Sequence, residues 1–325
     1  MALTRRTFLA QTAAVLAAPL AADAQKSGIY RVGVVSHGGL YGEAIDGLRD
    51  GLRQSGLEEG KQVVLHVRNG EGDLKWVEAE ARSFEEEKVD LIVAISTSVT
   101  LAAKRATKSV PIVFYAGTDP VSTGLVDDLR RPGGRLTGIH RQSTDLTAKR
   151  LELLKEIVPK LRRVVTFYRA DNLAAQQSVK RARDAVRQLK LELVERTIAS
   201  VEELRAGLRA LRHGEAEGVF LVSDAMVSSQ AQLVIDTARD KRLATMFQDS
   251  GSVAKGALAA YGESFYAIGL LSAKHVQRVL LGADPGDLPV EQVDRLYFVI
   301  NLKTAKALGL TIPPSLLLRA DQVIE

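Results

Sequence analysis

The 325-residue chain contains no cysteine. That excludes disulfides, thiolate metal sites, iron–sulfur clusters and cysteine nucleophiles together. Aromatic residues make up only 5%, so the core has to be built from Leu, Val, Ile and Ala. Beyond the N-terminal segment there is no uncharged apolar run of about 18 residues, the minimum for a membrane-spanning helix. Charge of one sign is scarce as well: 44 Lys and Arg stand against 39 Asp and Glu, a formal net charge of +5. A nucleic-acid-binding chain gathers its cations on one face. The densest basic stretch here is Lys180-Arg-Ala-Arg183, continuing to Arg187 and Lys190. Val179, Ala182, Val186 and Leu189 recur through it at helical spacing, so those cations form the solvated face of an amphipathic helix. No nucleic-acid partner is expected.

Catalytic constellations are missing too. Ser252-Val-Ala-Lys255 fits S-x-x-K, but the companion S-D-N and K-T-G motifs are absent, and so is a G-x-S-x-G elbow. His37, His66, His140, His213 and His275 are too scattered for an H-E-x-x-H pair. His37 sits where the first glycine of G-x-G-x-x-G belongs, which leaves Gly38 and Gly39 for a tight turn and close helix packing. The chain therefore reads as a protein that is not an enzyme and uses no cofactor or metal.

What is present begins with an address. Thr4-Arg-Arg-Thr-Phe-Leu9 precedes a short apolar run of small residues and then Ala22-Asp-Ala24, an A-x-A cleavage site. These parts make a secretory signal of the twin-arginine type over residues 1–24, cleaved after about Ala24, with a periplasmic destination. From residue 28 the chain alternates short β-branched runs with amphipathic stretches. Arg31–Val35, Val63–Val67, Asp90–Ile95, Pro111–Tyr115 and Leu136–His140 form one series. Arg163–Tyr168, Leu191–Arg196, Gly218–Val222, Ala244–Phe247 and Ala257–Tyr261 form a second. Strands separated by helices imply parallel sheets covered on both faces. The predicted fold is α/β, with two doubly wound parallel-sheet lobes joined by a multi-strand hinge. The first lobe takes residues 28–143 and 264–284, the second residues 144–263 and 285–325.

Ligands of open parallel sheets bind at the carboxyl ends of the strands. Short polar residues crowd those positions. They are Ser36-His-Gly-Gly39, Ser96-Thr-Ser98 and Gly117-Thr-Asp119 in the first half, and Arg169-Ala-Asp-Asn172, Ser223-Asp224 and Gln248-Asp-Ser250 in the second. Helix N-termini following Ile95 and Tyr115 present amides for a carboxylate, and Asp224 or Asp119 is placed to meet an ammonium. Tyr41, Tyr115, Tyr168 and Phe265 are candidates to wall an apolar side chain. The recognised species is then a small zwitterion or anion.

Further stretches carry a resemblance. They are Val110-Pro-Ile-Val-Phe114 with Thr118-Asp-Pro-Val121, Arg131-Pro-Gly-Gly134, Lys149-Arg-Leu-Glu-Leu-Leu-Lys155 and Leu288-Pro-Val-Glu-Gln292. Val299-Ile-Asn-Leu-Lys-Thr-Ala-Lys-Ala-Leu-Gly-Leu310 and Ile312-Pro-Pro-Ser-Leu316 complete the set. Through them the whole mature chain resembles substrate-binding proteins of ABC transporters with the type I periplasmic-binding fold, in the branch associated with aromatic and related amino acids. The resemblance implies a clamp that holds a small-molecule ligand, an amino acid or derivative, and hands it to the permease and ATPase subunits of an importer. By position, Ser96, Thr97, Ser98 and Asp119 serve the first lobe and Asn172, Ser223 and Asp224 the second. Ser36 and Tyr168 join them from the rim clusters and the aromatic set. Two departures bear on the ligand: Arg169–Asn172 replaces a serine-rich turn, and Ser96-Thr-Ser98 stands where many relatives have Gly-Thr-Pro. The expected form is a monomer; a periplasmic sensor passing its solute to a receptor is the alternative role. A two-lobed DNA-binding repressor would need a helix-turn-helix headpiece before Val32, where the signal stands instead.

Overall fold

A computed structural model describes residues 28–141 and 143–325. The export signal expected over residues 1–24 lies outside these. Thirteen strands follow one another along the described chain. They are β1 (Tyr30–Ser36), β2 (Val63–Asn69), β3 (Leu91–Ile95), β4 (Ile112–Ala116), β5 (Leu136–His140), β6 (Arg163–Tyr168) and β7 (Glu192–Thr197). After these come β8 (Gly218–Phe220), β9 (Ala244–Asp249), β10 (Ala259–Glu263), β11 (Glu291–Gln292), β12 (Tyr297–Asn301) and β13 (Gln322–Ile324).

The first sheet has the order β11-β5-β4-β3-β1-β2 and the second β13-β12-β10-β9-β8-β6-β7. Every described pairing is parallel except that of β10 with β12. Central strands such as β3 and β4 are buried at every position. Helices cover both of their faces, and that is why they read as continuous apolar runs rather than as alternations. In each sheet the order reverses once, beside β1 in the first and β6 in the second. Crevices open at such reversals, so the loops after β1, β3, β6 and β8 are where a ligand belongs.

The helix Gly42–Gln54 packs against the helix Phe265–Leu280 across glycines. A Cβ on Gly47 would lie 2.0 Å from the Tyr266 carbonyl oxygen, and one on Gly269 would lie 2.0 Å from that of Ala44. The late helix therefore belongs with the first sheet, although β9 and β10 precede it in the chain.

One expected boundary needs correction. The sequence places residues 285–325 as a block in the second lobe, yet β11 pairs with β5. Val290 N donates to the Leu129 carbonyl at 2.7 Å, Thr137 Oγ1 donates to the Leu288 carbonyl at 2.7 Å, and Val290 packs in the first sheet's core. The free edge of β5 captures the tail before β12 returns to the second sheet.

The chain thus passes between the sheets three times, between β5 and the helix Thr147–Ile157, at Ser264 and at 293–296. Two buried arginines bind these passages together. Arg141 Nη1 donates to the Val293 carbonyl, joining the first to the third. Arg150 is fully buried; its Nε donates to the Tyr261 carbonyl at 2.7 Å, Nη1 to the Ser143 carbonyl at 3.1 Å and Nη2 to Ser143 Oγ at 2.8 Å. It ties the first passage to the strand that leads into the second.

Candidate functional site

A small cavity of about 30 Å³ lies between the two sheets, at the order reversals of both. Its first-sheet wall comprises Tyr41, Ser96, Thr97, Ser98, Tyr115, Gly117 and Phe265; Ser143, Asn172, Ala174, Ser223, Ala225, Gln248 and Glu263 line it from the hinge and the second sheet. The Tyr41 and Phe265 rings meet at a centroid distance of 4.7 Å, and Tyr115 stands edge-on to Phe265 at 6.0 Å. Burial raises both phenols well above the usual range, with Asp224 adding to the effect at Tyr41 and Glu263 at Tyr115. Both hydroxyls therefore stay protonated, and that of Tyr115 donates to Glu263. The apolar part of the lining on the second lobe is Ala174 and Ala225.

The helix Thr97–Ala106 begins at the cavity. Its N-cap Ser96 accepts from Val99 N at 3.3 Å, while the amides of Thr97 and Ser98 have no intrahelical carbonyl within reach. These amides and the helix dipole favour an anion. Ser96 holds φ of 102°, a left-handed value unusual for a residue with a Cβ. The strain is held at the cavity wall, where the surrounding structure fixes it. Thr97 Oγ1 accepts from Gly117 N at 3.1 Å and lies 3.0 Å from Thr118 Oγ1, fixing the loop after β4 to the same helix.

On the second sheet Gln248 organises the polar wall. Its Oε1 accepts from Ser223 Oγ at 3.0 Å and from Ser143 Oγ at 3.4 Å, and its Nε2 donates to Ser228 Oγ at 2.8 Å. Glu263 ends β10. Tyr115 Oη donates to its Oε1 at 2.5 Å across the cleft, and its Oε2 is buried without a hydrogen-bond partner.

Of the nine expected site residues, Ser96, Thr97, Ser98, Asn172 and Ser223 line the cavity. The structure places the other four elsewhere. Ser36 is buried, donates to Asn69 Oδ1 at 2.7 Å and accepts from Gly38 N at 3.0 Å, so it closes the turn after β1. Asp119 accepts from Val121 N at 2.9 Å and sits with Lys180 and Asp184 on an outer groove. The Tyr168 hydroxyl donates to Glu195 at 2.8 Å, away from the cleft. Asp224 is fully buried and caps the helix Ala225–Ser229. Its oxygens accept from Arg169 N at 2.9 Å, Val227 N at 3.1 Å and Asn172 Nδ2 at 3.3 Å, which leaves little capacity for an ammonium. Burial nonetheless raises its pKa above the ordinary carboxylate value.

Sequence reading passed over Ser143, Gln248 and Glu263 as individual residues. Gln248 stood within a rim cluster. Glu263 was missed because β10 was expected to stop at Tyr261, whereas Gly262 and Glu263 continue the strand into the cleft. Its signal is its position at the carboxyl end of a strand, the same signal that singled out the expected residues.

With this geometry in place, comparison with known proteins is informative. Residues 30–324 match the family described as ABC transporter substrate binding protein. A tyrosine-binding protein of Clostridioides difficile is 30% identical over 270 residues, covering 82% of this chain and 77% of that protein. Among solved structures, an ABC domain from Streptococcus pneumoniae in complex with L-Trp is 26% identical with a TM-score of 0.79, covering 91% of this chain and 100% of that one. The ligand-free, open structure of a substrate-binding protein with adhesive properties from Clostridium difficile has the same 26% identity and 91% coverage of this chain, with 99% of its own. Its TM-score is 0.60. A match across nearly the full described chain, on two doubly wound lobes with a cavity at both order reversals, identifies the fold as type I periplasmic-binding-protein-like and the chain as a member of the ABC transporter substrate-binding protein family.

Proposed function

We propose that the protein captures an α-amino acid with an aromatic side chain between its lobes, in the periplasm, and delivers it to the permease and ATPase subunits of an ABC importer. One observation carries the reading: Tyr41, Tyr115 and Phe265 line the same interlobe cavity as the open N-terminus of the helix Thr97–Ala106. The helix end suits the carboxylate and the rings suit a flat apolar side chain. Similarity to a tyrosine-binding protein and to a structure holding L-Trp supports the ligand class. In this reading the working lobes are residues 28–140 with 265–292, and residues 147–263 with 297–325. Ligand pockets ordinarily measure about 300–1,000 Å³. A cavity of about 30 Å³ admits an amino acid only after the lobes part, so capture is an opening and reclosing about the three passages.

A thermal-shift panel of amino acids, dicarboxylates, nucleosides and sugars tests the class. Ligand at a hundredfold over its Kd adds about 2.7 kcal/mol of stability, and L-tyrosine and L-tryptophan are expected to give the largest shifts. Stabilisation by a nucleoside, sugar or dicarboxylate, with none by any amino acid, sinks the reading.

A further inference from the structure

We infer that Glu263 is the residue that reads the ligand's ammonium group, and so restricts the cleft to free amines; this rests on the amino-acid reading above. Glu263 is 1% exposed and lines the interlobe cavity. One oxygen accepts from Tyr115 Oη, while the other is buried without a partner. A buried polar atom left unpaired is destabilising, and such atoms in a folded protein call for an explanation.

The neighbouring cation does not supply it. Arg150 directs its guanidinium to Ser143 and to the Tyr261 carbonyl, and no ion pair within 4.0 Å joins it to Glu263 among the described residues. The other acidic candidates are committed elsewhere. Asp224 is held by Arg169, Asn172 and Val227, and Asp249 accepts from Ser252 N at 3.2 Å and Phe265 N at 3.2 Å. An ammonium brings three donors and a positive charge, matching the unpaired oxygen of a carboxylate. Thr97 and Ser98, whose amides open their helix, line the same cavity, so one cleft offers a zwitterion both an acceptor and a donor set.

The test is calorimetric titration of the full mature chain with L-tyrosine, L-tryptophan and their desamino analogues, 3-(4-hydroxyphenyl)propanoate and indole-3-propanoate. Wild type is expected to bind the amino acids more tightly than the analogues by on the order of 100-fold, the scale of a charge-assisted hydrogen bond. Glu263→Gln, nearly the same in shape, removes that preference by weakening the amino acids relative to the analogues. Glu263→Asp keeps the charge at shorter reach and gives an intermediate preference, which preserves the test if the Gln variant misfolds. Equal affinities in wild type, or a preference that survives in Glu263→Gln or is untouched in Glu263→Asp, overturn the assignment to Glu263 while the amino-acid reading stands. Failure of wild type to bind either amino acid overturns that reading, and the assignment with it.

Discussion

His37 follows β1 and is 2% exposed, with Nε2 3.4 Å from Ser98 Oγ. Burial, helped by the Arg169 charge and opposed by Asp73, lowers its pKa from 6.5 to about 4. Above pH 6.5 the folded and unfolded chains are both neutral there. As the pH falls from 6.5 towards 4, the unfolded chain takes up a proton that the folded one refuses, so stability drops. The loss is about 2 kcal/mol between pH 7 and pH 5 at ~1.4 kcal/mol per unit. Glu85 has its pKa lowered to about 2; burial opposes that shift, and hydrogen bonds from the backbone of residues 108–110 and the Ser109 hydroxyl outweigh it. Its contribution is present above pH 4.5 and fades only below that. Urea unfolding of wild type and His37→Gln at pH 7 and pH 5 checks the assignment: the variant loses less on acidification. His140 is shifted down by burial as well, so the difference between the two proteins is the quantity to read. At this scale the sequence was half legible. It placed Ser96, Thr97, Ser98, Asn172 and Ser223 at strand ends, and these five line the cavity. It did not separate Asp224 from Glu263, because both are acidic residues beside strands. Only the hydrogen bonds distinguish a carboxylate satisfied as a helix cap from one with a free oxygen.

Between elements, the helices Gly42–Gln54 and Phe265–Leu280 meet backbone to backbone. Gly47→Ala gains roughly 1 kcal/mol of helix propensity, but places a Cβ 2.0 Å from the Tyr266 carbonyl oxygen. The obstacle is backbone and cannot rotate away, so overpacking wins, at a cost of about 1–3 kcal/mol. The expected outcome is a lower denaturation midpoint; an unchanged or higher one shows that the helices separate freely. The periodicity of these helices and the β-branched runs were plain in the sequence, since burial on both faces leaves a continuous apolar signature. The placement of β11 was not. Two exposed residues, Glu291 and Gln292, carry no burial pattern, and their pairing is decided by the open edge of β5 far back in the chain. The sheet reversals were likewise invisible until strand order was known.

Closure of the whole molecule brings backbone against backbone. Gly39, at φ of 63°, lies so close to the second lobe that an added Cβ would stand 1.9 Å from the Ser229 carbonyl oxygen. Gly39→Ala is expected to hold the lobes apart and weaken amino-acid binding by about tenfold or more. Small-angle scattering on both proteins gives the geometric check. Wild type contracts on saturation with L-tryptophan, whereas the variant keeps the larger radius of gyration; contraction of both would place the contact outside the closing motion. The return of the chain to its first lobe also has a consequence for biosynthesis. The strands β1 to β5 leave the ribosome early, but the helix that covers them and the strand that closes their edge are encoded after residue 264. A nascent chain of 140 residues therefore carries a sheet with one flank only partly covered, by the helix Gly42–Gln54, and it stays so while the second lobe is made. Neither lobe is a self-sufficient folding unit in the order of translation, and the first to be started is completed only near the end.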